Sequence, residues 1–194
     1  MSVLSHPRHP VIDAALEMAR LWCAGHVIDG SPALGHAVRV ALKLGEHVPG
    51  VSAELVGAAL LHDAPEYVPA GVDLDAVVSA RFGPAVIRVI RSLEREHLAL
   101  AEHPFPQVLD DDPAILQASV ADKIVSLTSI LRRATASPDP EAYWRARQPF
   151  IDRVPYLRAH GHAAIPHVPA GMSVEFQRLI AQTDELLAGH RTSH

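Results

Sequence analysis

The sequence predicts an all-α, single-domain protein, on three observations. Of its 194 residues, 48% are hydrophobic and 20% charged, which suits one well-buried core and is short for two. Aromatic residues are only 5%, while Ala, Leu and Val dominate, so the core should be small-residue, close-packed helices and not an aromatic-rich sandwich. Apolar residues also recur three and four apart in segment after segment, the period of helices with one face inward.

Each element has a local justification. Ile12, Ala15, Leu16, Ala19 and Trp22 form the apolar stripe of a helix from Val11 to Trp22, and Pro10 fits its first turn, where no amide bond is lost. Gly25 to Pro32 reads as a loop, with Gly30-Ser31-Pro32 as turn chemistry and Asp29 able to bond its own backbone. A helix then runs to about Gly45. Ser52 can cap the next one, which carries the run Val56-Gly57-Ala58-Ala59-Leu60-Leu61 up to His62, and Glu54 complements its dipole. Pro65 should bend the chain just after Asp63. Asp73 and Asp75 open a short helix through Phe82, and Gly83-Pro84 starts another to about Leu100 with Val86, Ile87, Ile90, Leu93 and Leu98 inward. His103-Pro104-Phe105-Pro106 is a rigid connector. Asp110-Asp111-Asp112 before Pro113 marks the start of a helix to about Ala134. Helices near 141–153, 156–160 and 173–187 follow, separated by turn-rich stretches. No repeat or domain linker interrupts the chain, so 1–194 is read as one domain with 165–194 as a C-terminal helical extension.

Composition narrows the function. A net charge of -5 argues against nonspecific grip on nucleic acid, which is mostly cationic, so a phosphorylated substrate must be met locally by a metal or a few Arg. The single Cys23 forbids an intramolecular disulfide and reads as a buried small apolar residue. No basic-then-apolar leader is seen and no run approaches bilayer length; a cytoplasmic protein with no membrane partner is the expectation.

Four residues stand out as metal ligands: His36, His62, Asp63 and Asp122. An imidazole followed at once by a carboxylate, at the buried end of an apolar helix, is well placed to hold a divalent ion in a dry pocket. Asp122, poor as a helix-interior residue, sits among Val120, Ala121 and Ile124, and a buried carboxylate wants a cation. Arg39 and Lys43 share the face of His36, where they would suit an anionic substrate or form a solvated basic edge. Arg88, Arg91 and Arg95 lie on the polar side of their helix, as a solvated face or a phosphate grip. Glu66 and Tyr67 fall on the bend beside the pocket. The other histidines, His6, His9, His26, His47, His97, His103, His160, His162, His167, His190 and His194, are read as loop, cap or surface residues.

The pattern resembles the HD superfamily of metal-dependent phosphohydrolases, and within it the hydrolase domains of RelA/SpoT-type proteins and the small alarmone hydrolases. The likeness runs from about Ala14 to about Arg158. Gly30-Ser31-Pro32-Ala33-Leu34-Gly35-His36 looks like the family's Gly-x-Pro-Tyr-x-x-His. Ala58-Ala59-Leu60-Leu61-His62-Asp63 looks like its Ala-Ala-Leu-Leu-His-Asp, Phe82-Gly83-Pro84-Ala85-Val86 like its Phe-Gly-x-x-Val, and Ala121-Asp122-Lys123-Ile124 like its Ala-Asp-Lys/Arg-Leu. The resemblance implies an HD-type helical bundle in which His36, His62, Asp63 and Asp122 bind one metal, usually Mn²⁺. It implies as substrate a guanosine or adenosine nucleotide with a 3′-diphosphate, of (p)ppGpp or (p)ppApp type, and pyrophosphate as product. Three substrate-handling positions depart from the family. Ala64-Pro65-Glu66-Tyr67 keeps one carboxylate of the usual Glu-Asp pair, Val27-Ile28 replace Arg-Lys, and Ser126 replaces an Asn that touches the sugar. These departures imply altered or relaxed base preference.

On this reading Asp63 and Glu66 are the catalytic pair, with Glu66 orienting or deprotonating the attacking water. Arg39, Lys43, Arg91 and Arg95 are candidates for the outer phosphates; Tyr67 and Ser126 border the substrate, and Tyr143 or Tyr156 could stack on the base. Two other readings compete: an HD phosphohydrolase for another phosphorylated metabolite, and a former hydrolase retained as a nucleotide sensor.

Overall fold

A computed structural model describes residues 2–28, 30–104 and 110–191, the last two by backbone alone. Asp29, Phe105, Pro106, His194 and the side chain of His190, on which expectations were stated above, lie outside the described residues. The fold is all-α, as the sequence predicts. The described helices are α1 (Pro10–Trp22), α2 (Ala33–His47), α3 (Ala53–Leu60), α4 (Ala64–Tyr67), α5 (Leu74–Phe82), α6 (Pro84–Glu102), α7 (Pro113–Ala136), α8 (Pro140–Arg145), α9 (Gln148–Ala164) and α10 (Ala170–Arg191). A two-residue antiparallel pairing of β1 (Val27–Ile28) with β2 (Ser31–Pro32) tightens the loop before α2.

Helix α3 is the hub. Every residue from Leu55 to Leu60 is buried, because α1, α2, α6 and α7 all pack around it. A helix apolar on all sides is a core helix, and full burial of Leu60 or Leu61 contributes about 1.5–3 kcal/mol each. Ser52 caps it by accepting from the amide of Leu55 at 3.1 Å. The helix stops at Leu60, two residues earlier than expected, and a turn through Leu61 leads to His62 and Asp63. The amide of Ala64 donates to Leu61 O at 2.9 Å and that of Glu66 to Asp63 O at 3.0 Å. Pro65 occupies the first turn of α4, so the chain bends here at no cost in amide bonds.

Helix α7 is the second core element, buried from Ala118 to Val125. It is long and apolar enough to cross a membrane, but 72% of its apolar window lies inside the protein, as in a core helix. Gly83, at φ 88°, ends α5 and begins α6, a left-handed conformation glycine adopts without steric cost.

Three expectations are corrected. The break after α8 falls at 146–147, and α9 runs on through Pro155, whose exposed position lets solvent satisfy the carbonyl that loses its partner. Leu98 is 59% exposed instead of inward. His160 is 2% exposed; it belongs to a buried polar cluster in which Ser119 Oγ lies 2.8 Å from Glu96 and 3.1 Å from His160 Nε2. In the same cluster Lys123 pairs with Glu96 at 2.6 Å.

Candidate metal centre

The four residues singled out as ligands come from three directions. Helix α2 contributes His36 from its first turns, the turn after α3 contributes His62 and Asp63, and α7 contributes Asp122 from its middle. All four are buried. His36 Nε2 lies 2.9 Å from Asp122 Oδ1, and the His36 and His62 rings are 5.2 Å apart between centroids. One ligand atom from each of His36, His62 and Asp122 falls within 4.8 Å of the other two.

The tautomer of His62 follows from its neighbour. Its Nδ1 is 2.8 Å from Ala59 O, and a carbonyl only accepts, so Nδ1 carries the proton and the neutral ring presents a bare lone pair at Nε2. That lone pair faces Asp63 Oδ1 at 3.2 Å and Asp122 Oδ1 at 3.7 Å. His62 Nε2 and Asp63 Oδ2 are buried with no hydrogen-bond partner. Such unsatisfied groups cost about 1–3 kcal/mol each, and acceptors crowded together repel. A divalent cation removes both penalties, and two imidazoles with two carboxylates are a donor set that suits one. The arrangement can therefore hold a divalent metal.

The electrostatics agree. Burial opposes ionisation of Asp122, yet hydrogen bonds to His36 and His97 and the nearby His62 hold it well below the usual carboxylate range. Burial would lower His36, but its bond to Asp122 raises it. Cys23, by contrast, is pushed up to about 11 by burial and by Asp63, and it belongs to none of the close ligand groups among the described residues.

One member was missed. His97, read as a surface residue, projects from α6 so that its Nε2 lies 3.4 Å from Asp122 Oδ2. It gathers with Asp63 and Glu66 into a second close group. Glu66 and His97 line a hollow of about 230 Å³ with His62 and Glu94. On the other side, His97, Asp122, Ser126, Phe150 and Arg153 line a cavity of about 220 Å³. The metal centre thus opens to two hollows that His97 divides.

The remaining predicted site residues separate into two sets. Ser126 is at the centre, its Oγ donating to Asp122 Oδ1 at 3.4 Å. Tyr67 is at its edge, stacked on His26 at 4.3 Å, with its hydroxyl pushed up to about 12 by burial, Asp63 and Glu66. The others are engaged elsewhere. Lys43 is held by Glu46 and Glu175, and with Arg39 lines a groove that includes none of His36, His62, Asp63 and Asp122. Arg91 is neutralised by Asp75 and Glu94. Arg95 bonds Ser92 and lines a hollow of about 540 Å³ away from the four ligands. Tyr143 donates to Ile130 O and stacks on Arg147. Tyr156 borders the cavity but spends its hydroxyl on Glu96 and is 1% exposed. Phe150 and Arg153 are the aromatic and the cation that line the cavity. Their only sequence signal is that Phe150, Arg153 and Leu157 fall on one face of a helix.

No protein-family model matches the chain, and no curated protein does. Among solved structures, a metazoan ortholog of SpoT, a protein that hydrolyses ppGpp and plays a role in starvation responses, matches with a TM-score of 0.60 and 17% identity. The match covers 92% of this chain and 98% of that one. The chain therefore shares the all-α fold of that SpoT ortholog.

Proposed function

We propose that this protein is a metal-dependent phosphohydrolase that removes the 3′-diphosphate from a guanosine or adenosine alarmone. Pyrophosphate and a nucleotide with a free 3′-hydroxyl are the products. The observation that carries this reading is the buried, unpartnered pair His62 Nε2 and Asp63 Oδ2, with His36 and Asp122 next to His62, in a fold shared with a ppGpp hydrolase. His36, His62, Asp63 and Asp122 hold the ion, with Mn²⁺ the expected metal. A divalent ion in such a site supplies Lewis acidity toward phosphoryl oxygen and lowers the proton affinity of water.

The chain's own residues do the rest. Ala59 fixes the His62 ring through its carbonyl. Glu66, exposed on α4 and grouped with Asp63 and His97, orients the attacking water and accepts its proton, a role worth about 10²–10⁴ in rate. It does so with Tyr67, not a second carboxylate, beside it. Arg153 meets phosphate from the cavity wall, since guanidinium matches phosphate in a bidentate way. Phe150 offers a ring for the base, and Ser126 holds Asp122 while facing the sugar. The substrate is a diffusible nucleotide handled in the cytoplasm; nothing in the charge balance favours nucleic acid.

The test is incubation of the purified protein with Mn²⁺ and a panel of 3′-diphosphorylated adenine and guanine nucleotides, with products identified by mass. Pyrophosphate release from at least one of them is expected. Orthophosphate release would instead assign another phosphohydrolase activity, and tight binding without turnover would assign a nucleotide sensor.

A further inference from the structure

Six of the fifteen arginines of this acidic chain are paired with a carboxylate among the described residues, and two more are held by a serine. Arg8, Arg81, Arg88, Arg91, Arg145 and Arg158 each pair with a carboxylate, and Arg95 and Arg133 each donate to a serine hydroxyl. Among the described residues, Arg20, Arg39, Arg132, Arg153 and Arg178 have neither a hydrogen bond nor an ion pair, and Arg39, Arg132 and Arg178 come together on one side of the protein. These three share one groove between α2, α7 and α10. It consists of two hollows of about 260 and 430 Å³ that have Thr128, Arg132 and Glu175 in common, with Arg39 in the first and Arg178 in the second.

The charge here is opposite in sign to that of the whole protein. Glu46 and Glu175 are the acids of the groove, and both are already bound to Lys43; Glu175 is also bound to His47. Arg39 and Arg132 line the first hollow together with Thr128 and Ser129. Desolvation and the neighbouring Arg132 and Arg133 lower the proton affinity of Arg39, the mark of like charges held together without a counterion. Helix α7 presents Asp122 and Ser126 to the metal centre and the row Val125, Thr128 and Arg132 to this groove, with Ser129 on the edge between them, so the two sites use neighbouring faces of one helix.

We propose that this groove is a second binding site, separate from the metal centre, for the di- or triphosphate group of a small metabolite. Phosphate oxygens satisfy several guanidinium forks at once, and the hollows have the size of a phosphate chain, not of a macromolecular interface. The site does not depend on the hydrolase reading. Occupancy would tie α10 to α2 and α7.

Isothermal titration of the full chain with inorganic triphosphate, in buffer free of divalent cations, tests it. One saturable site is expected. Affinity should fall at least about ten-fold in the Arg39→Ala/Arg132→Ala variant and stay within about two-fold in Asp122→Ala, with circular dichroism confirming that both are helical. A nucleoside triphosphate that binds more tightly than inorganic triphosphate would identify a nucleotide as the ligand; equal binding would identify the phosphate chain alone. Absence of saturable heat, equal affinity in the double variant, or loss of binding in Asp122→Ala would each overturn the proposal.

Discussion

Asp122 divides its carboxylate between two histidines, with Oδ1 at 2.9 Å from His36 Nε2 and Oδ2 at 3.4 Å from His97 Nε2. One oxygen thus faces the buried ligand group and the other faces His97, beside the cavity lined by Ser126, Phe150 and Arg153. Removing the carboxylate should empty the centre while sparing the fold, because alanine is the best helix former at a position in the middle of α7. Asp122→Ala is expected to lose nearly all bound Mn²⁺ by elemental analysis while its far-ultraviolet circular dichroism matches that of the wild type.

Glu66 separates binding from chemistry. It is exposed and on α4, so Glu66→Gln should keep its metal and lose about 10²–10⁴ in kcat. A Glu66→Gln enzyme as fast as the parent would remove this residue from the mechanism.

The buried ion pair beside the centre is sensitive to the loss of either partner. Lys123 and Glu96 are 6% and 5% exposed and lie 2.6 Å apart. Although burial opposes it, Lys123 and then His160 hold the Glu96 carboxyl at about 2. Deleting one partner of such a pair leaves a buried charge and costs about 3–5 kcal/mol. Lys123→Met should destabilise the protein by that amount in urea denaturation. Adding Glu96→Gln should recover part of the loss, a coupling that a double-mutant cycle measures.

The same cluster makes stability depend on pH. Burial and Lys123 lower His160 from 6.5 to about 3, so the folded protein keeps it neutral while the unfolded chain protonates below about 6.5. The unfolded state then binds more protons, and stability falls with pH from 6.5 toward 3. Melting temperature, measured in chelator between pH 7.5 and 5, should drop less in His160→Gln than in the wild type. Equal slopes would assign the acid sensitivity to other groups.

The helices were legible because their ends are chemically marked. Asp73, Asp112 and Asp139 accept from the amides of Ala76, Ala114 and Ala142, and prolines stand in the first turns of α1, α6, α7 and α8. The cluster of candidate ligands was legible for a related reason. An adjacent His-Asp at the end of an apolar helix and an Asp inside another have little reason to be there without a cation. His97 carried no such mark: it follows Glu94, Arg95 and Glu96 on a polar stretch, and it meets Asp122 only because α6 packs on α7. Arg39 and Lys43 do lie on the flank of His36, but a shared helix face does not fix which neighbour the side chain meets. Lys43 reaches Glu175, 132 residues away in sequence.

The most direct measurement is anomalous diffraction at the manganese edge from crystals grown with Mn²⁺. A single strong peak bonded to His36 Nε2, His62 Nε2, Asp63 and Asp122 is the predicted result. Clean density for those four side chains with no peak between them, or a peak elsewhere in the protein, would contradict it.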